Sequence, residues 1–135
     1  MAKILVVDDD PAIQMTIRLL LERAGHSVAV AGNGYKGLAA FETGDFDLLF
    51  LDIFMPGMDG FETMRHVHRK DPAVPIVVIS GRPLVPDAEP EPDFLAMAIK
   101  LGAVSSLPKP FKPAALLAMV ESCLKARDRN VASGP

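Results

Sequence analysis

Cysteine is almost missing from this 135-residue chain, and a lone Cys123 excludes an internal disulfide framework, leaving a small core or flanking residue. Positive charge is short as well. Lys and Arg number 14 against 17 Asp and Glu, a net charge of −3, so the chain has no general basic footprint for nucleic acid. No window approaches the roughly 18 to 20 uninterrupted apolar residues of a membrane span, so no membrane association is expected. The opening MAKILVVDDD meets acid after four apolar residues, too early for a signal peptide, and the expected compartment is the cytoplasm. There is no internal repeat. His66 and His68 stand two apart on a predicted helix and do not share a face, which argues against a metal site there.

What is present is ordinary for a single globular domain with a sizeable core: 50% hydrophobic residues and 23% charged. Strand and helix signals alternate almost without gaps. Ile4–Val7 is a short β-branched apolar run, and Asp10-Pro11 reads as an N-cap followed by proline at the first helical position. Ile13, Ile17, Leu20, Leu21 and Ala24 recur at helical spacing before Gly25. The pattern then predicts a strand over His26–Ala31, a helix from Asn33 to Phe41 capped by Asn33, and a strand over Phe46–Leu51. Next come a helix over Met58–Arg69, a strand over Pro75–Ile79 and a short helix over Phe94–Leu101 closed by Gly102. A fifth strand over Val104–Leu107 and a helix over Pro113–Lys125 complete the domain, assigned to residues 1–127. The polar tail, residues 128–135, is expected to fray.

Five successive strand–helix units imply an α/β fold with a parallel sheet, right-handed crossovers and helices on both faces. ILVV, FDLLFL and IVVI are nearly continuous in apolar residues, as strands covered on both faces should be. His26–Ala31 alternates more, and the fifth strand carries Ser105, Ser106 and Pro108, so these two suit the sheet edges. The expected order is 2-1-3-4-5, the flavodoxin-like doubly wound (βα)5 arrangement, with its ligand crevice at the carboxyl ends of strands 1 and 3.

Those ends carry Asp8 and Asp9 after strand 1, Asp52 after strand 3, Ser80 after strand 4 and Lys109 after strand 5. Taken singly, Asp8-Asp9-Asp10 equally describes a helix-capping cluster, Ser80-Gly81 a turn and Lys109 a solvated charge. Together they differ. Carboxylates ~4 Å apart repel by on the order of 4 kcal/mol per pair at an effective dielectric near 20, and a cation relieves this. Oxygen ligands without His or Cys favour a hard ion, Mg²⁺ ahead of Ca²⁺, since no ligand-rich loop is present. Carboxylates, Mg²⁺, a hydroxyl and an ammonium describe a phosphoryl-transfer site in which one carboxylate is the nucleophile.

The set VVDDD, LDIFMPGMDG, VISG and LPKPF resembles the receiver domain of two-component response regulators, over Lys3 to about Lys125. The resemblance implies Asp52 as phosphoacceptor and a Mg²⁺ site of Asp8, Asp9, Asp52 and the backbone carbonyl of Phe54, with Asp9 a direct ligand and Asp8 acting through water. It implies that Ser80 and Lys109 each contact a phosphoryl oxygen, that Lys109-Pro110 is cis, and that Pro56-Gly57 shapes the loop after Asp52. The implied partners are a histidine kinase or histidine phosphotransferase as donor and a downstream protein as reader. A homodimer or docking face of the short helix, the fifth strand and the final helix is implied too. The chain is expected to act as a stand-alone receiver, without a DNA-binding module after Lys125.

Two departures bear on output. Where the family usually carries Tyr or Phe, three residues before the lysine, this chain has Ser106, so the usual aromatic switch is missing. The stretch GRPLVPDAEPEPDF, residues 81–94, is several residues longer than the usual connection; it is either a tolerated insertion or a lid or partner contact beside Ser80. Three rivals stand beside the receiver reading. A phosphorylation-independent receiver would bind partners only. A haloacid-dehalogenase-type phosphatase would use Asp8 as nucleophile, although Ala12 replaces its expected Thr or Val. A flavin binder would need a phosphate loop after strand 1, where this chain has acids.

Overall fold

The computed structural model describes residues 2–53, 55, 57–80 and 99–132. Five strands run β1 (Lys3–Val7), β2 (Ser27–Ala31), β3 (Leu48–Asp52), β4 (Ile76–Ser80) and β5 (Ser105–Pro108). The helices are α1 (Pro11–Arg23), α2 (Gly34–Thr43), α3 (Gly60–Lys70) and α4 (Pro113–Ala132), and Ile99 and Lys100 are also helical. All strands are parallel, in the order β2-β1-β3-β4-β5 that the apolar pattern predicted.

The sheet's two faces sort their side chains by the period of two that a strand imposes. Leu5, Val7, Leu49, Leu51, Ile76 and Val78 pack under Phe41, Met64 and Val67 from α2 and α3. Ile4, Val6, Leu48, Phe50, Val77 and Ile79 pack against Ile17 and Leu21 of α1 and Leu116, Val120 and Cys123 of α4. Cys123 is therefore a buried core residue, and burial pushes its thiol pKa up.

Predicted boundaries moved for local reasons. Asp59 caps α3, its carboxylate accepting from Glu62 N at 2.9 Å, so that helix begins at Gly60 rather than Met58. His26 donates its N–H to Leu21 O at 3.0 Å, closing α1 through Gly25 at φ 94°, so β2 starts at Ser27. β3 starts at Leu48 rather than Phe46 and runs one residue further, to Asp52, which pairs with Ile79. The final helix, predicted to end at Lys125, continues through Ala132, and residues 126–132 contain no glycine or proline to stop it. The predicted helix over Phe94–Leu101 lies mostly outside the described residues. No helix among those described is long and apolar enough to cross a membrane.

His26 also supplies a pH-dependent contact. Its Nδ1 accepts from Ala2 N at 3.2 Å, which requires an unprotonated Nδ1. Burial, and then the positive N-terminal charge, lower its pKa below 6.5. The unfolded chain therefore takes up a proton before the folded one does. The contribution is complete above 6.5 and is lost as pH falls from there through the folded value. Urea midpoints measured between about pH 7.5 and pH 5.5 should fall less steeply for His26→Gln than for wild type. Parallel slopes would show that His26 does not couple folding to pH.

Candidate functional site

Register assembles the site. Val7 stands opposite Leu51 and Asp52 opposite Ile79, so Asp8, one residue beyond β1, comes beside Asp52. Ser80 stands opposite Pro108, which delivers Lys109 to the same edge. Parallel pairing thus brings residues 8, 52 and 109 together from three separate strands.

One carboxylate oxygen from each of Asp8, Asp9 and Asp52 lies within 4.8 Å of the other two. Asp8 is fully buried and Asp52 is 4% exposed, whereas Asp9 faces solvent. Lys109 Nζ stands 2.7 Å from Asp8 Oδ2 and 3.7 Å from Asp52 Oδ2. The closer contact is an ion pair without hydrogen-bond alignment at Oδ2. Asp8 Oδ1 accepts from Asp10 N at 2.8 Å, so both of its oxygens are engaged. Asp10 is the cap of α1, accepting from Ala12 N at 2.9 Å, as its place before Pro11 predicted. One ammonium among three carboxylates leaves an excess of negative charge, and three clustered oxygens with one exposed member suit a hard cation that keeps waters. The donor set fits Mg²⁺.

The loop after Asp52 closes on itself: Gly60 donates its N–H to Ile53 O at 3.0 Å, and Gly57 has φ 82°. A Cβ on Gly60 would stand 2.5 Å from both the Asp52 carbonyl oxygen and the Ile53 Cα, so only glycine fits. Ser80 ends β4, and the described structure extends to its backbone. Phe54, Pro56 and residues 81–94 lie outside the described residues. Lys109-Pro110 is a cis peptide, and Ser106 stands on edge strand β5 opposite Val78.

Two glycine-lined and amide-lined features went unread in the sequence. Gly60 carries no motif of its own beyond the run MDG. Gln14, on α1, donates Nε2 to the backbone carbonyl of Asp8 at 2.5 Å, and nothing in its spacing marks it out.

A parallel sheet in this order, with acids at the ends of its first and third strands and a lysine after its fifth, is the architecture of a class of signalling domains. Residues 4–121 match the response regulator receiver domain. The chain belongs to that family. It is 35% identical over 126 residues to the DNA-binding response regulator MtrA of Mycolicibacterium smegmatis, covering 93% of this chain and 52% of that one. It is 32% identical over 122 residues to the uncharacterized transcriptional regulatory protein YkoG of Bacillus subtilis, covering 90% and 50%. The chain thus spans about half the length of these relatives. Among solved structures, the chemotaxis protein CheY4 of Vibrio cholerae matches with TM-score 0.79 and 32% identity, over 92% of this chain and 99% of that one. A CheY-like receiver domain protein from Methanospirillum hungatei matches at 0.85 and 28%, over 96% and 98%.

Proposed function

We propose that this chain is a phosphorylation-controlled binding module in which Asp52 accepts a phosphoryl group from a phosphohistidine donor. The observation that carries this reading is the convergence of Asp8, Asp9 and Asp52 within 4.8 Å, with Lys109 beside them. An Asp52 carboxylate oxygen attacks phosphorus, the phosphorus–nitrogen bond to the donor imidazole breaks, and an acyl phosphate results. Mg²⁺, when bound, supplies neutralisation of the phosphoryl oxygens. Asp9 would ligate it directly and Asp8 through water, consistent with both Asp8 oxygens being engaged. Asp52 and the Phe54 carbonyl would complete the protein ligands. Lys109 is within 3.7 Å of Asp52 and would pair with a transferred phosphoryl oxygen, with Ser80 bonding another.

The product adds roughly −1.5 to −2 charges beside Lys109, which shifts a local equilibrium that a cytoplasmic partner reads. The chain is a receiver and not an enzyme with a separate substrate. With Ser106 in place of the aromatic, either the readout uses another element or the change on phosphorylation is small. The phosphatase alternative is disfavoured because Asp8, its required nucleophile, is fully buried and held by Lys109 and Asp10 N.

Intact mass after incubation with Mg²⁺ and acetyl phosphate tests the reading: one phosphoryl adduct is expected, and none without the metal. A wild-type protein that never gains one would leave a phosphorylation-independent module. Binding to the folded state alone also predicts stabilisation by the metal, about 2.7 kcal/mol at a hundredfold excess over the dissociation constant. That is a rise on the order of 10 °C in thermal midpoint, to be lost in Asp9→Asn. A midpoint indifferent to Mg²⁺ would count against the metal site.

A further inference from the structure

We propose that Gln14 is a positioning residue of the acidic site, fixing the turn between β1 and α1 so that Asp9 is aimed at the cation. The inference rests on the phosphoacceptor reading and adds a residue to it. Asp8 leaves β1 with each polar group occupied: its N–H donates to Ala31 O at 3.1 Å, Oδ1 accepts from Asp10 N, and Oδ2 faces Lys109. Its remaining group, the carbonyl, accepts from Gln14 Nε2. That carbonyl belongs to the planar peptide unit joining Asp8 to Asp9. Holding its oxygen fixes the plane, and with it the direction in which the Asp9 side chain leaves the backbone.

Helix α1 does not need this contact to start, because Asp10 already caps it and Gln14 N donates to Asp10 O at 3.0 Å. Gln14 is half-buried, and its Nε2 lies within 3.8 Å of where a Cβ on Gly32 would sit, so the amide is packed between β1 and the residue after β2. A side chain so placed acts on the metal through the ligand it orients, and removing such a partner typically lowers metal affinity 10- to 100-fold.

The test is Gln14→Met, which keeps the length of the side chain and removes its donor. Mg²⁺ binding to the unphosphorylated protein is measured by calorimetry and by the thermal midpoint against metal concentration, with wild type and Asp9→Asn alongside. The expected result is a dissociation constant raised roughly tenfold with a metal-free midpoint close to wild type. The Mg²⁺ concentration for half-maximal adduct formation should rise by the same factor, while the rate at saturating metal returns to within about twofold of wild type. Unchanged Mg²⁺ affinity overturns the inference and leaves the phosphoacceptor reading standing, as does a drop in metal-free stability with no change in affinity. Wild type that binds no Mg²⁺ overturns both. Gln14→Leu carries the same comparison should the methionine variant not fold.

Discussion

Asp52→Asn is expected to gain no phosphoryl group under conditions in which wild type gains one. The carboxamide that replaces the carboxylate keeps the shape of the site and removes its nucleophile. Two carboxylates remain within reach, but neither substitutes for Asp52. Asp8 is fully buried with both oxygens engaged, and Asp9 stands on the solvent side, where it would ligate Mg²⁺ under the proposed reading. The variant should still fold, because one of three mutually repelling charges has gone from a cluster spanning 4.8 Å. Intact-mass spectra of both proteins with Mg²⁺ and acetyl phosphate decide the matter. An adduct that survives Asp52→Asn and disappears in Asp8→Asn would transfer the nucleophile to Asp8 and make the protein a phosphatase relative.

Gly60→Ala should lose both stability and phosphorylation, although residue 60 carries no chemistry. The new methyl would stand 2.5 Å from the Asp52 carbonyl oxygen and the Ile53 Cα, both backbone atoms that cannot rotate away. Overpacking a tight site costs about 1–3 kcal/mol, and relief here requires moving the end of β3 or the start of α3. A fall in thermal midpoint on the order of 5–10 °C is expected. The rate of adduct formation should fall with it, even at temperatures where the variant is folded, because the relaxed backbone carries the Asp52 carboxylate off its line. An alanine variant with wild-type midpoint and rate would mean that the loop has slack and that its closure does not set the site.

Much of this molecule was readable locally. Continuous apolar runs at 4–7, 48–51 and 76–79 marked strands covered on both faces, and the structure buries each of those residues. Asp10-Pro11 and Asn33 announced helix starts through their own capping chemistry, and both side chains make the bonds expected of them. The start of α3 was misjudged because Met58 extended an apolar pattern that the Asp59 cap overrides. The end of α4 was misjudged because polar composition reads as fraying where backbone hydrogen bonding continues the helix to Ala132.

The candidate site divides along the same line. Residue types at strand ends made Asp8, Asp9, Asp52, Ser80 and Lys109 the candidates, since a bare carboxylate closing an apolar strand needs a partner. Their mutual geometry depends on strand register, a relation between residues some 27 to 44 positions apart, to which no local pattern testifies. Lys109 pairs more closely with Asp8 than with Asp52, Gln14 holds the carbonyl behind Asp9, and Gly60 leaves room for the Asp52 backbone. By itself the sequence determined the strands, the caps and the identity of the charged residues, because periodicity and capping act within a few neighbours. Only the tertiary structure decided which charge meets which and where a methyl group has no room, because those are distances between segments that meet only after the sheet has formed.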